Sequence, residues 1–181
     1  DRLFEAGELR GIRALGSRAL ELLRIEAGFI LAGVDFLPAM EAVRPTHTRS
    51  PFELGLGWLV DFGKGVFNGR QALLEEKKNG SRYRLVKLDI DGNKAAKDSY
   101  VYAKNGKVVG TVTSAMWSPS AKASIALASV ELPHGEAGER LDVEIYYQRE
   151  HKWSRVMAPA RVVKDVFWDP PRRRQTPPGD F

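Results

Sequence analysis

One carboxylate stands inside an otherwise apolar segment of this chain. Glu26 lies in the segment Leu23–Gly33, in which every other residue except Arg24 is apolar or glycine. A carboxylate in apolar surroundings must find hydrogen-bond donors, because leaving water without them is costly. Arg24 is a poor donor to Glu26, since side chains two residues apart on a helix point to different sides. A planar ligand edge with two adjacent N–H groups, such as that of a pterin, would satisfy the carboxylate, although by residue type alone a solvated or ion-paired glutamate is the commoner case.

Two further segments combine polar residues with turn-forming residues. In Ser50–Trp58, Pro51 can open a turn, Glu53 can complement its positive end, and Trp58 is of a type usually found in a core. In Gly110–Ser120, the Ser-Pro pair indicates a turn between two strands. By residue type alone, both segments also allow a purely structural interpretation.

These three segments, taken in chain order, resemble signatures of the glycine-cleavage T-protein (aminomethyltransferase) superfamily. The first is the sequence Arg24-Ile25-Glu26-Ala27-Gly28, and the others are Ser50–Trp58 and Gly110–Ser120. The resemblance runs from about Leu15 to Val163 and corresponds to the C-terminal half of a T-protein.

The resemblance implies a binding site for tetrahydrofolate. It implies that Glu26 grips the pterin, that Arg24 belongs to the same motif, and that Trp58 lies in the folate channel. It also implies that Lys64 and Arg70 lie near the folate tail, where cations would meet the glutamyl carboxylates.

The same resemblance implies a substrate channel lined by Glu53, Thr113, Ser114 and Trp117. The family's catalytic aspartate lies in the N-terminal half, so the catalytic acidic residue is expected upstream of this chain. The expected function is that of a C-terminal fragment of a transferase that moves a methyl or methylene group from an amine, thioether or sulfonium donor to N5 of tetrahydrofolate. The fragment alone is expected to be inactive.

Two departures from family patterns bear on which relative this chain resembles. Ala32 stands where glycine-cleavage aminomethyltransferases usually carry a tyrosine, which favours a relative with another one-carbon donor. Val66 stands where a folate-binding branch linked to iron–sulphur cluster upkeep has a cysteine, and valine has no thiol chemistry. The sequence Leu56–Phe62 looks more like that of dimethylsulfoniopropionate demethylases, or of the C-terminal halves of sarcosine and dimethylglycine dehydrogenases, than like that of a strict T-protein.

Two alternatives to the transferase stay open. One is a non-catalytic folate-binding or regulatory module, and the other is the C-terminal half of a sarcosine- or dimethylglycine-dehydrogenase-type flavoprotein. A small-molecule one-carbon donor is the expected partner, and a lipoyl carrier protein is a further candidate.

Charge and composition argue against several other function classes. The 181-residue chain has a net charge of +5, and three of its basic residues form the Pro-flanked run Arg172–Arg174 rather than a basic face with interleaved aromatics, so no nucleic-acid partner is expected. The absence of cysteine excludes disulfides and thiolate sites and suits the cytoplasm. The three scattered histidines predict no metal site. No apolar run approaches the roughly 18 residues of a membrane span.

The predicted secondary structure that must position these residues changes near residue 80, from mainly helices and loops to strands. Apolar spacing predicts helices over 3–9 and 16–27, an irregular loop over 37–51, a strand over Leu56–Phe62, and a helix over Gly69–Lys78 capped by Asn68. From residue 82 the pattern predicts about six short strands, over 83–90, 100–103, 107–116, 124–132, 141–147 and 154–163.

The predicted fold class is therefore α+β. Residues 1–80 are assigned to the C-terminal part of a folate-binding α/β domain, and residues 81–165 to a roughly six-stranded antiparallel β-barrel. Residues 166–181 are assigned to a Pro/Arg-rich tail.

Overall fold

A computed structural model describes residues 2–44 and 47–175 of the chain. Two residues of the predicted 37–51 loop and the last part of the predicted tail, residues 176–181, lie outside the described residues. Within the described residues, no helix has both the length and the apolar composition needed to cross a membrane.

Six antiparallel strands close into a barrel, which confirms the fold predicted from the alternating pattern. Around the barrel the strands follow the order β1-β4-β3-β2-β5-β6. In chain order they are β1 (Tyr83–Ile90), β2 (Tyr100–Tyr102), β3 (Val108–Ser118), β4 (Ala123–Glu131), β5 (Arg140–Arg149) and β6 (Lys152–Val163). The Asn105-Gly106 turn joins β2 to β3, and Gly106 takes the positive φ of 82° that a side chain would resist.

The barrel core consists of side chains that alternate inward along the strands. Its fully buried members are aliphatic, so hydrophobic burial holds the strands together. They include Leu88, Val101, Val109, Val112, Val130, Leu141, Val143 and Ile145.

In the described part of the chain, three α-helices precede the barrel. They are α1 (Arg2–Gly7), α2 (Ser17–Glu26) and α3 (Arg70–Asn79). Helix α2 lies against the outside of the barrel, where the fully buried Ile25 packs on Ile125 and Leu127 of β4. The helix ends where Gly28 turns the chain with a φ of 71°.

Two local predictions before the barrel are wrong. Residues 56–62 do not form a strand, because the chain there makes two 3₁₀ turns, Gly57–Leu59 and Phe62–Lys64. Glycines interrupt the apolar run, and Gly55 and Gly65 take φ values of 72° and 92° that an extended strand does not allow. Helix α3 is preceded by Gly69 in a left-handed conformation and has no side-chain cap, so Asn68 does not cap it.

Candidate functional site

A β-bulge in β3 aims a row of side chains at helix α2. The pairing of β3 with β4 shifts between Val112 and Ser114, which leaves Thr113 as the extra residue. Before the bulge Val112 faces the barrel core, whereas after it Met116 packs with Ile25 outside the core. Because successive strand residues alternate faces, Ser114 and Ser118 also point toward α2.

Asp35 is a buried carboxylate located where strand β3 meets helix α2. It is 3% exposed and is the last residue of the turn that begins at Gly33. Its Oδ1 accepts hydrogen bonds from the hydroxyls of Thr113 and Ser114, both at 2.6 Å. Its Oδ2 accepts from Arg24 Nη1 at 2.5 Å and from the backbone N–H of Leu31 at 2.9 Å. Four donors thus satisfy a charge that would otherwise be costly to bury.

Arg24 lies between two carboxylates. Its Nη1 contacts Asp35, and its Nη2 contacts Glu21 Oε1 at 2.5 Å and Ser114 Oγ at 2.6 Å. Its Nε is buried and has no hydrogen-bond partner among the described residues. Burial by itself would lower the pKa of Arg24, but the hydrogen bond to Glu21 and the negative charges of Asp35 and Glu21 outweigh burial and raise it. Arg24 is therefore a fixed cation in the interior of this contact.

Glu26 has the buried, apolar surroundings that the sequence predicts. It is 2% exposed, so the alternative of a solvated glutamate is wrong. Ser118 donates a hydrogen bond of 2.6 Å to its Oε1, while Oε2 accepts no hydrogen bond from the described residues. The backbone N–H of Trp168 donates to the carbonyl of Glu26 at 3.2 Å, so the chain after β6 covers the end of the helix.

Glu53 holds a turn against the start of β1. Ser50 Oγ accepts from the Glu53 N–H at 3.1 Å and Glu53 Oε2 accepts from the Ser50 N–H at 3.1 Å, an arrangement known as a capping box. The other oxygen of Glu53 accepts from the Tyr83 N–H at 3.2 Å. Pro51 opens this turn as the sequence indicates, and Glu53 is 4% exposed.

The remaining predicted folate residues lie in the segment between the turn and α3. Trp58 is 78% exposed, so its assignment to a core is wrong. Lys64 is exposed, and its Nζ lies 4.6 Å from the centre of the Phe67 ring. Arg70 donates from Nη2 to the Phe62 carbonyl at 3.4 Å. Its Nε is buried and has no hydrogen-bond partner within residues 2–44 and 47–175. Among the described residues, no hydrogen bond or ion pair joins Trp58, Lys64 or Arg70 to Glu26.

A cavity of about 410 Å³ connects the first two predicted segments. One wall is Gly28–Ile30, directly after α2, and the facing wall is Leu54–Leu56 from the Glu53 turn. Strands β1 and β4 close it with Leu85 and Leu127, among others. This volume lies within the usual range for small-molecule pockets, roughly 300–1,000 Å³.

The predicted channel residues of β3 divide between its two faces. Thr113 and Ser114 point toward α2 and hydrogen-bond to Asp35. Trp117 follows the opposite alternation, is 48% exposed, and lies beside Gly92 and Lys122 at one end of the barrel. The structure therefore brings Arg24, Glu26, Thr113 and Ser114 together and places Trp117 apart from them.

The sequence analysis missed Asp35 and Ser118. Asp35 follows Leu23–Gly33 closely, so the argument applied to Glu26 would also have marked it as a carboxylate in need of partners. Ser118 gave no such signal, because its orientation depends on the bulge at Thr113. We call the six residues Arg24, Glu26, Asp35, Thr113, Ser114 and Ser118 the α2–β3 contact.

Comparison with known proteins identifies the barrel. Residues 83–169 match the family model of the glycine cleavage T-protein C-terminal barrel domain. The barrel of this chain belongs to the glycine cleavage T-protein family. The match begins at the first residue of β1 and ends after β6.

Two relatives show that the similarity extends beyond the T-protein barrel to the helical part of the chain. The chain is 39% identical over 160 residues to an aminomethyltransferase of Parasynechococcus marenigrum, covering 88% of this chain and 39% of that protein. It is 35% identical over 176 residues to a trimethylamine-oxide aldolase of Ruegeria pomeroyi, covering 96% of this chain and 20% of that protein. The chain thus spans between a fifth and two fifths of the length of these relatives.

A solved structure shows the same T-protein fold. The glycine cleavage system aminomethyltransferase T from Bartonella henselae superposes with a TM-score of 0.72 at 24% identity. The superposition covers 91% of this chain and 43% of that chain, so the fold likeness includes the helices as well as the barrel.

Proposed function

We propose that this chain is the folate-binding C-terminal part of a one-carbon transferase that uses tetrahydrofolate. The observation that supports this most strongly is Glu26, a carboxylate 2% exposed whose Oε2 has no hydrogen bond from the described residues. A buried charge of this kind needs a further donor, and the paired N–H groups of a pterin edge supply two. The Glu26 carboxylate is thus an acceptor that fits the N–H edge of a pterin.

The residues of the chain then have distinct tasks. Ser118 donates to one lone pair of Glu26 Oε1, which leaves Oε2 and the other lone pair of Oε1 for the two N–H groups that would fix the orientation of the pterin ring. The cavity between Gly28–Ile30 and Leu54–Leu56 is next to this acid in the chain, and its side chains are apolar except for Lys87, which suits a flat ring with polar edges. When bound, tetrahydrofolate would supply N5 as the acceptor of the one-carbon group.

Cations would hold the other end of the folate. Lys64 is exposed, and the buried Nε–H of Arg70 has no hydrogen-bond partner in the described part of the chain, so we propose that both meet the carboxylates of a glutamyl tail. Trp58 offers an exposed aromatic face in the same segment. Glu53, Thr113, Ser114 and Trp117 stay predictions as channel residues, and the first three act in the structure through the backbone and Asp35.

The methyl donor belongs to the same proposal. We propose an amine, thioether or sulfonium that carries a methyl or methylene group. Transfer would break the bond between that carbon and the donor's nitrogen or sulfur, which keeps the electron pair, and would form a bond to N5, which gives up its proton. Proximity and orientation in the site would lower the barrier to this displacement. A second candidate is one domain of a longer enzyme that acts on a methylated amine. Its support is the similarity to the trimethylamine-oxide aldolase over 96% of this chain but only 20% of that protein.

Titration of the full-length protein with tetrahydrofolate tests the proposal. Glu26→Gln should weaken binding roughly tenfold or more, because hydrogen bonds to a charged group contribute about 1.5–3 kcal/mol. Glu75→Gln is the matched control, since Glu75 is an exposed glutamate on α3 that makes only a 3.4 Å contact with Gln71. Equal affinities of Glu26→Gln and the unaltered protein would overturn the proposal.

A further inference from the structure

Two parallel connections hold the last turn of α2 on strand β3. In the first, Arg24 and Asp35 meet Ser114 within 2.6 Å. In the second, Glu26 meets Ser118 at 2.6 Å. The two serines are four residues apart on the same face of the strand, so together these contacts fix both the position and the rotation of the helix end.

Asp35 is the centre of the first connection. Its two oxygens accept from α2 through Arg24, from the following loop through the Leu31 N–H, and from the bulge through Thr113 and Ser114. Its side chain has no exposed surface, whereas that of Glu21, the other carboxylate on Arg24, is 38% exposed. Both carboxylates hold Arg24, and the pair with Asp35 is the one that solvent does not screen.

We propose that Asp35 is a positioning residue for Glu26, which it holds in place for the pterin through Arg24 and the bulge of β3. This inference rests on the proposed function of Glu26. The hydrogen bonds of Asp35 go to Arg24, Leu31, Thr113 and Ser114, so in this proposal it acts through Glu26 and not on the ligand itself. It fixes the helix turn from which the Glu26 carboxylate projects, and a shift of that turn would misplace Oε2.

The geometry explains why the bulge at Thr113 is needed. Without the extra residue, Ser114 and Ser118 would point into the barrel core and neither carboxylate would meet its hydroxyl donor. The bulge therefore couples Asp35 and Glu26 to one rigid strand. A substitution at one end of that strand face is expected to displace the side chains at the other end.

A double-mutant cycle on tetrahydrofolate binding tests the proposal in the full-length protein. Asp35→Asn keeps the size of the side chain but removes its charge, and it should weaken tetrahydrofolate binding about tenfold, because the turn that carries Glu26 loses charge-assisted hydrogen bonds to Arg24 and β3. Because Asp35 acts through Glu26, the double variant Asp35→Asn/Glu26→Gln should bind no more weakly than Glu26→Gln alone. Additive losses, or wild-type affinity in Asp35→Asn, would overturn the inference.

Two further variants separate positioning from general destabilisation. Thr113→Val removes one hydroxyl donor to Asp35 while the charge balance stays intact, and it should weaken binding about threefold in a folded protein. Asp91→Asn changes the same kind of side chain at an exposed turn and should bind like the unaltered protein. If Thr113→Val also binds like the unaltered protein, the coupling through the bulge is wrong.

An infrared difference spectrum gives a readout that a merely structural role would not move. Tetrahydrofolate binding should perturb a carboxylate band that disappears in Glu26→Gln and shifts in Asp35→Asn. An unchanged band in Asp35→Asn would contradict positioning. If Glu26→Gln itself leaves both the affinity and the band unchanged, the proposed function fails together with this inference, which is a different result from failure of Asp35 alone.

Discussion

The barrel and the helical segment before it bury different kinds of side chain. The barrel core is aliphatic, from Val86 on β1 to Val162 on β6, and Glu144 on β5 is the one buried carboxylate of the described strands. Among the described residues before the barrel, the buried side chains are two apolar ones, Ile25 and Leu54, and three carboxylates. Those carboxylates are Glu26, Asp35 and Glu53.

This difference shows that the two regions have separate roles. Hydrophobic burial is enough to specify the barrel, whereas the helical segment is attached to it through acids that find donors on its strands. Glu26 meets Ser118, Asp35 meets Ser114, and Glu53 meets the backbone of Tyr83. The barrel thus holds most of the aliphatic core, and the segment before it holds three of the buried carboxylates.

The largest expected effect compares one leucine from each region. Leu88 of β1 is 0% exposed, whereas Leu20 of α2 is 59% exposed. Leu88→Ala should lower the free energy of unfolding by about 2–5 kcal/mol, because it removes buried surface and leaves a cavity. Leu20→Ala should change it by less than about 0.5 kcal/mol. Urea unfolding measures both, and equal losses would break the comparison.

A smaller effect is expected where the helical segment relies on a buried carboxylate. Glu53→Gln leaves one acceptor but turns an N–H group toward the backbone donors of Ser50 and Tyr83. It should cost about 1–3 kcal/mol of unfolding free energy and raise amide hydrogen exchange at Ser50 and Tyr83. The exposed Glu75→Gln serves as the control. Unchanged exchange at both amides would show that the carboxylate does not hold the turn.

The smallest effect concerns a carboxylate of the barrel itself. Glu139, between β4 and β5, accepts from His134 Nδ1 at 2.7 Å and from the Gly135 N–H at 2.6 Å. Partial burial alone would raise the pKa of Glu139, but these hydrogen bonds outweigh it and lower the pKa below its ordinary value of 4.5. The contribution of Glu139 to stability is therefore complete above that value and is lost as the pH falls through the lower pKa of the folded state.

The free energy of unfolding of Glu139→Gln should accordingly depend less on pH than that of the unaltered chain. The difference should be confined to the acid range below the ordinary pKa of 4.5. Chemical unfolding at a series of pH values from neutral to acid measures it. Parallel curves for the two proteins would contradict the role given to these hydrogen bonds.

The same difference between the two regions explains which structural features could be predicted from the sequence. Strand alternation and the Asn105-Gly106 turn predict the barrel, because burial on one face repeats with the period of a strand. The apolar run at 56–62 misleads, since the closely spaced glycines around it favour turns over a strand.

The site was predictable only in part. The burial of Glu26 follows from its apolar neighbours, and the structure agrees. The partners of Glu26 and Asp35 could not be predicted, because a bulge adds one residue without altering composition and yet reverses which side chains face α2. Trp58 shows the opposite failure, since a large aromatic side chain suggested a core and lies 78% exposed.

The most direct test of the account is a crystal structure of the full-length protein with tetrahydrofolate bound. The account predicts that the pterin edge places two N–H groups within about 2.7–3.2 Å of the Glu26 carboxylate, with Ser118 still donating to its other side. A pterin bound elsewhere, or a Glu26 carboxylate turned out to water in that complex, would contradict it.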